Sequence, residues 1–314
     1  MSMISYVIPC YRSEHTIADV VGRIDETQKS HSEYEYEIIL VNDSSPDDTF
    51  SVLKELAAQH DNITAVDMTR NFGQHAALMA GFHFCRGDIV ICLDDDGQTP
   101  PEEAFKLVDK LGEGYDVVYA RYGKKEHSAF RNFGSKVNSI MTEQMLDKPK
   151  ELYISSFFAA RKFIIEEVLQ YKNAYPYVIG LVLRSTKRIC NVDVHHEARK
   201  EGSSGYSLKK LFALWMNGFT AFSVKPLRIA TYTGIGTAIA GIFMLIYVII
   251  KKLSHDPNTP VGWASTMSVL LFMSGMILFV LGIIGEYIGR MYICMNSAPQ
   301  YVIREVVLSG KDRD

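Results

Sequence analysis

Short apolar runs alternate with amphipathic stretches through the first two thirds of the chain. ISYVI (4–8), YEIILV (36–41), ITAVDM (63–68), DIVICL (88–93), DVVYA (116–120) and ICNVDV (189–194) read as strands. Residues 14–29, 50–60, 75–85, 101–112, 130–145 and 162–171 read as helices. Strand and helix in alternation predict an α/β fold on a mostly parallel sheet, buried on both faces. In such sheets ligands gather at the carboxyl ends of the strands.

The pattern changes near residue 229. Ile229–Ile250 and Trp263–Ile284 contain no charged residue, and each is long enough to cross a bilayer. They predict a two-helix transmembrane hairpin. LKKLFALWMNGFTAFSVKPLR (208–228) mixes aromatics, leucines and cations, as interfacial helices lying on a membrane do. The expected organisation is a domain over 1–205, juxtamembrane helices over 206–228, spans at 229–250 and 263–284, and a C-terminal cytoplasmic segment over 285–314. Lys225, Arg228 and Arg290 flank the spans and favour a cytoplasmic location for both ends, against the opposing sense of Lys251 and Lys252. The N-terminal MSMISYVIPCYRSE lacks the pattern of a signal peptide, which also places the first domain in the cytoplasm.

Charge and cysteine usage narrow the chemistry. A formal net charge of −3 gives no basic field for nucleic acid. Five cysteines without CxxC spacing suggest neither a disulfide framework nor a zinc site. Three strand ends then stand out: PCYRSE after the first strand, NDSSPDDT after the second, DDDGQTPPE after the fourth. Asp, Ser, Asn and Pro are ordinary turn and cap residues. A cap needs one aspartate, however, and three in a row repel. A magnesium or manganese ion, which takes oxygen ligands, relieves that repulsion. In an extended segment Asp94 and Asp96 share one side, so both can hold one ion, with Gln98 joining and Asp95 turned away.

In order, VIPCYRSE, VNDSSPDDT, TRNFGQHAALMAGF, LDDDGQTPPEE and RKEGSSGYS resemble the motifs of the family 2 glycosyltransferases with the GT-A fold. The similarity is to the subgroup of dolichyl-phosphate mannose synthase and the bacterial polyprenyl-phosphate (undecaprenyl-phosphate) transferases. It extends through both apolar runs to GEYIGRMY (285–292) and PQYVIREV (299–306). The resemblance implies a GT-A catalytic domain and a nucleotide-sugar site of Pro9, Tyr11, Glu14, Asp43, Arg70, Asn71, Gly73, Asp94 and Asp95. Asp43 would accept a hydrogen bond from the uracil of a UDP-sugar. Asp94, Asp96 and Gln98 match the family's metal-binding positions for Mg2+ or Mn2+. Arg121, Arg131 with Ser135, and Arg199 match the family's positions that contact a polyprenyl phosphate acceptor, and Ser204 and Tyr206 lie in the region the family uses near it. A homo-oligomer, tetrameric in the family, is also implied.

The implied reaction is inverting transfer of a sugar, UDP-hexose being the expected donor and an amino-arabinose donor possible by resemblance. A phosphate monoester is already largely ionised near neutral pH and needs little help from a base. The chain departs from relatives in three places: no acidic residue follows Glu151 before the strand that reads as SSFFAARK (155–162), Ser204-Gly205-Tyr206 lacks a central lysine, and RSE replaces a commoner Asn-Glu-Glu at 12–14. A haloacid-type phosphatase would share Asp94-x-Asp96 but carry Thr or Val where Gln98 stands. A processive polysaccharide synthase would carry Gln-x-x-Arg-Trp, and neither Trp215 nor Trp263 completes it. A nucleotide-binding scaffold without turnover would fail to transfer sugar.

Overall fold

The computed structural model describes residues 2–122, 148–149, 151–195, 262–295 and 299–308, with scattered positions between 232 and 250. The chain divides into two compact units, residues 1–212 with 297–314, and residues 213–296.

The first unit is built on an eight-stranded sheet. Its strands are β1 (Ser2–Cys10), β2 (Tyr34–Asn42), β3 (Ile63–Met68), β4 (Ile89–Cys92), β5 (Val117–Tyr122), β6 (Phe158–Arg161), β7 (Ile189–Val194) and β8 (Ile303–Val307), in the order β7-β5-β6-β4-β1-β2-β3-β8. β3, β2, β1 and β4 are mutually parallel, as are β5 and β7, while β6 and β8 pair antiparallel with their neighbours. The helices are α1 (Ile17–Lys29), α2 (Thr49–Gln59), α3 (Gln74–Phe82), α4 (Ala104–Gly112), α5 (Lys162–Leu169) and α6 (Val178–Ser185). β1 from Ile4 onward, β2 from Ile38 and all of β3 are buried, as expected of strands covered on both faces. α1 and α4 bury Ile17, Val20, Ile24, Leu107 and Leu111 against that surface. At its carboxyl end the chain order reverses, because β2 lies on one side of β1 and β4 on the other.

The strand readings agree with the structure closely, with three departures. β4 ends at Cys92, and Asp95 and Asp96 lie in a turn, so the acidic run is not an extended continuation of the strand. α6 and β8 were not expected. Both are short, and β8 carries two charges in five residues. Residues 303–307 therefore belong to the sheet of the first unit and not to a separate C-terminal segment. The helix expected over 130–145 and the interfacial helices at 206–228 lie outside the described residues.

In the second unit, α7 (Trp263–Met295) runs past the expected end at 284. Its window Phe272–Gly289 has a mean hydropathy of 1.8 and none of it is buried. Among the described residues it is the one helix long and apolar enough to cross a membrane. The described positions between 232 and 250 are helical.

Candidate active site

The loops that follow β1, β2 and β4 meet at the reversal of strand order, where open α/β sheets form their crevice. Pro9, next to last in β1, lies on the β4 side beyond the Val7 carbonyl that accepts from Leu93 N. β4 has stopped there, so the N–H that proline lacks leaves no ladder bond unmade. Tyr11 N donates to Asp95 Oδ2 at 2.8 Å, and Thr16 Oγ1 donates to the Asp95 carbonyl at 2.7 Å. Arg12 N donates to Ser45 Oγ at 2.8 Å, and Asp48 N to Glu14 Oε2 at 2.9 Å. Arg12 sits at φ 59°, a left-handed conformation held by its bond to Ser45, and Ser44 of the facing turn sits at φ 50°.

Asp43, buried at the end of β2, accepts from Phe72 N at 2.7 Å and Gly73 N at 2.9 Å. Its carboxylate thus fixes the Arg70–Gly73 loop. Gly73, at φ 93°, turns that loop into α3, and Arg70 lies 4.5 Å over the Phe72 ring. Burial pushes the Asp43 carboxyl up to about 6, against the two amide hydrogen bonds.

In the acidic loop the three carboxylates have different neighbours. Asp94 accepts from Gln74 Nε2 at 3.1 Å and from Ser156 Oγ. Asp95 is turned to Tyr11, and Asp96 accepts from Gln98 N at 3.0 Å within its own turn, which Gly97 closes at φ 71°. Arg23 of α1 braces the loop from behind, forking onto Glu102 at 2.7 and 2.8 Å and reaching the Gly97 carbonyl at 3.4 Å. Burial, reinforced by the neighbouring carboxylates, pushes Asp94 up to about 6. Burial likewise lifts Asp95 to about 6. Among the described residues no three His, Cys, Asp or Glu side chains converge as a complete metal cage. The donor set is hard oxygen, short of ligands and electrostatically crowded. That fits Mg2+ or Mn2+, which retain waters and take phosphate oxygens beside one or two carboxylates.

The sequence model of Glycosyl transferase family 2 matches residues 5–169, and that of the GtrB C-terminal hairpin matches residues 225–291. The chain belongs to glycosyl transferase family 2. It is similar to the undecaprenyl-phosphate 4-deoxy-4-formamido-L-arabinose transferase of Proteus mirabilis (strain HI4320), 35% identical over 309 residues, covering 98% of this chain and 94% of that one. The uncharacterized glycosyltransferase YkcC of Bacillus subtilis (strain 168) is 33% identical over 302 residues, covering 96% and 93%. Among solved structures, glucosyl-3-phosphoglycerate synthase from Mycobacterium tuberculosis in complex with Mn2+ and UDP-glucose aligns at a TM-score of 0.51 and 21% identity, over 68% of this chain and 75% of that one. That likeness supports the GT-A-like fold.

In this glycosyltransferase the structure brings together Pro9, Tyr11, Glu14, Asp43, Arg70, Gly73, Asp94, Asp95, Asp96 and Gln98 on the four loops after β1, β2, β3 and β4, with exposed Asn71 on the loop that Asp43 holds. Arg121 is engaged elsewhere, in a fork onto Asp193 of β7 at 2.6 and 2.9 Å. Arg131, Ser135, Arg199 and Ser204 lie outside the described residues. Sequence reasoning assigned no role to Gln74, Ser156 or Arg23. Gln74 lies within the TRNFGQ motif, whereas nothing local to Ser156 signals its contact 62 residues away.

Proposed function

We propose that the chain transfers a sugar, with inversion, from a nucleotide sugar to polyprenyl phosphate at the cytoplasmic face of a membrane. The near full-length similarity to undecaprenyl-phosphate sugar transferases carries this reading. The carboxylates at the sheet's reversal point agree with it. A UDP-linked hexose or amino-arabinose is the expected donor class. Tyr11, Asp43 and the Arg70–Gly73 loop would hold the nucleoside, in a frame stiffened by the cross-loop hydrogen bonds. Asp94, Asp96 and Gln98 would hold the divalent cation, which when bound offsets the negative charge of a departing diphosphate. Gln74 and Ser156 orient Asp94 for that task.

The acceptor would be a phosphate oxygen, ionised without a general base. Arg131, Ser135, Arg199 and Ser204 are the candidates to hold it. Arg121 would join them by exchanging the Asp193 carboxylate for a phosphate, which its planar fork fits equally well. The two apolar segments would form a transmembrane hairpin.

The deciding assay offers the full chain, in detergent or bilayer, a panel of radiolabelled nucleotide sugars with polyprenyl phosphate, with and without Mn2+. Cation-dependent transfer of one sugar is expected, and Asp96→Asn should lower it at least a hundredfold, the scale of an electrostatic contribution to the transition state. Unchanged turnover in Asp96→Asn would refute the metal assignment, and no transfer from any donor would refute the reaction.

A further inference from the structure

Asp67 is the one charged residue of the buried strand β3, 3% exposed, and its partners come from opposite ends of the chain. Asp67 Oδ1 accepts from Asn42 Nδ2 at 2.7 Å. Asp67 Oδ2 accepts from Arg304 Nη1 at 3.0 Å, and Arg304 Nη2 donates to the Thr69 carbonyl at 2.8 Å. The other atom of the Asn42 amide, Oδ1, accepts from Ser45 N at 3.1 Å. Ser45 Oγ in turn accepts from Arg12 N at 2.8 Å and donates to Asp47. A continuous line of hydrogen bonds therefore runs from the segment after α7 to the turns after β2 and β1.

Arg304 reaches Asp67 because of a local irregularity. β8 pairs Glu305 with Asp67 and Ile303 with Met68, so Arg304 is the extra residue of a bulge. Bulges re-aim a side chain out of the regular alternation. Arg304 is half exposed, whereas the carboxylate it meets is buried. A buried carboxylate left with only an amide partner is costly, so Asp67, and through it the Asn42 amide, depends on this guanidinium. Further side-chain contacts tie the segment down without touching that line, among them Lys54 to Glu305 at 2.8 Å, Tyr301 Oη to His83 Nδ1 at 2.8 Å and Gln300 Nε2 to the Tyr171 carbonyl at 2.6 Å.

We propose that Arg304 is a positioning residue for the nucleotide-sugar site, acting through Asp67 and Asn42 to set the Asp43–Asp48 turn. The site's ligand rests on the function proposed above; the relay itself does not. The test compares hydrogen exchange of the full-length, ligand-free wild type with Arg304→Met, Arg304→Lys and, as control, Lys54→Met. In Arg304→Met, exchange at the Ser45 amide should rise about tenfold, the equivalent of one typical hydrogen bond. Lys54→Met should leave it unchanged, and Arg304→Lys should restore part of the protection. With the donor found in the panel assay, Arg304→Met should raise the donor KM about tenfold while kcat and the acceptor KM change less than twofold. Wild-type exchange at Ser45 in a folded Arg304→Met protein would overturn the proposal. So would a uniform rise in exchange across the sheet, or equal effects in Lys54→Met, since these indicate general loosening. Because exchange is read without ligand, a failed donor panel sinks the proposed reaction and leaves the relay through Arg304 intact.

Discussion

At the scale of single residues, the site is a set of carboxylates each given a different job by its neighbours. Asp43 holds two backbone amides of the 70–73 loop, and its burial has a measurable consequence. Below pH 4 the carboxyl is neutral in both folded and unfolded chains. As pH rises, the unfolded group ionises first, near 3.9, while the folded one keeps its proton up to about 6. The folded state binds more protons in that window, so this group's share of stability is fullest below pH 4 and is lost as pH approaches 6. Denaturant titrations of wild type and Asp43→Asn should therefore differ in slope. The stability of wild type relative to the variant should fall by on the order of 2 kcal/mol between pH 4 and 7. Parallel curves would mean that Asp43 ionises normally. Sequence alone marks Asp43 as a strand-end carboxylate, but not that its oxygens face the main chain of a loop some thirty residues on.

At the scale of elements, α3 links the core to the chemistry. Ala76 through Phe82 are buried, and Gly81 packs so closely on the sheet that a Cβ there would lie 2.6 Å from Val7 Cγ1 and 3.1 Å from Val41 Cγ2. The same helix begins at Gln74, which orients Asp94. Gly81→Ala should destabilise the chain by about 1–3 kcal/mol, the cost of overpacking, and should weaken donor binding because α3 must shift. Gly22 of α1 has nothing within 4 Å of a built Cβ, so Gly22→Ala should instead stabilise by about 0.5–1 kcal/mol. Melting curves of the two variants separate packing from helix propensity. The elements most legible in the sequence were the parallel strands, because burial on both faces makes β1 to β3 predominantly apolar, with few polar residues such as Asp67 among them. β8 was illegible for the converse reason: Arg304 and Glu305 interrupt it, and its partner strand lies more than 230 residues earlier. The acidic loop announced its chemistry by composition, yet its shape followed from Gly97 and the brace of Arg23, which no spacing rule contains.

At the scale of the whole molecule, β8 constrains how the chain meets a membrane. β3 and β8 are neighbours in one sheet, so the polypeptide that leaves the first unit before α7 re-enters it afterwards. A soluble sheet cannot be divided by a bilayer. If α7 crosses, the number of crossings between the two visits must be even, and the helical positions from 232 to 250 supply the natural second span. α7 alone leaves Leu270, Phe272, Leu278 and Phe279 exposed, a surface that hydrocarbon accommodates and water does not. Residues 251–262 should then face the side opposite to α2 and β8. In cells expressing the full chain, a membrane-impermeant maleimide should label Asn258→Cys before lysis. Glu55→Cys on α2 and Leu308→Cys after β8 should react only once the membrane is opened. Labelling of Leu308→Cys together with Asn258→Cys in intact cells, with Glu55→Cys still protected, would require an odd number of crossings between the two visits. That result is incompatible with β8 completing the sheet, and the relay through Arg304 would fall with it.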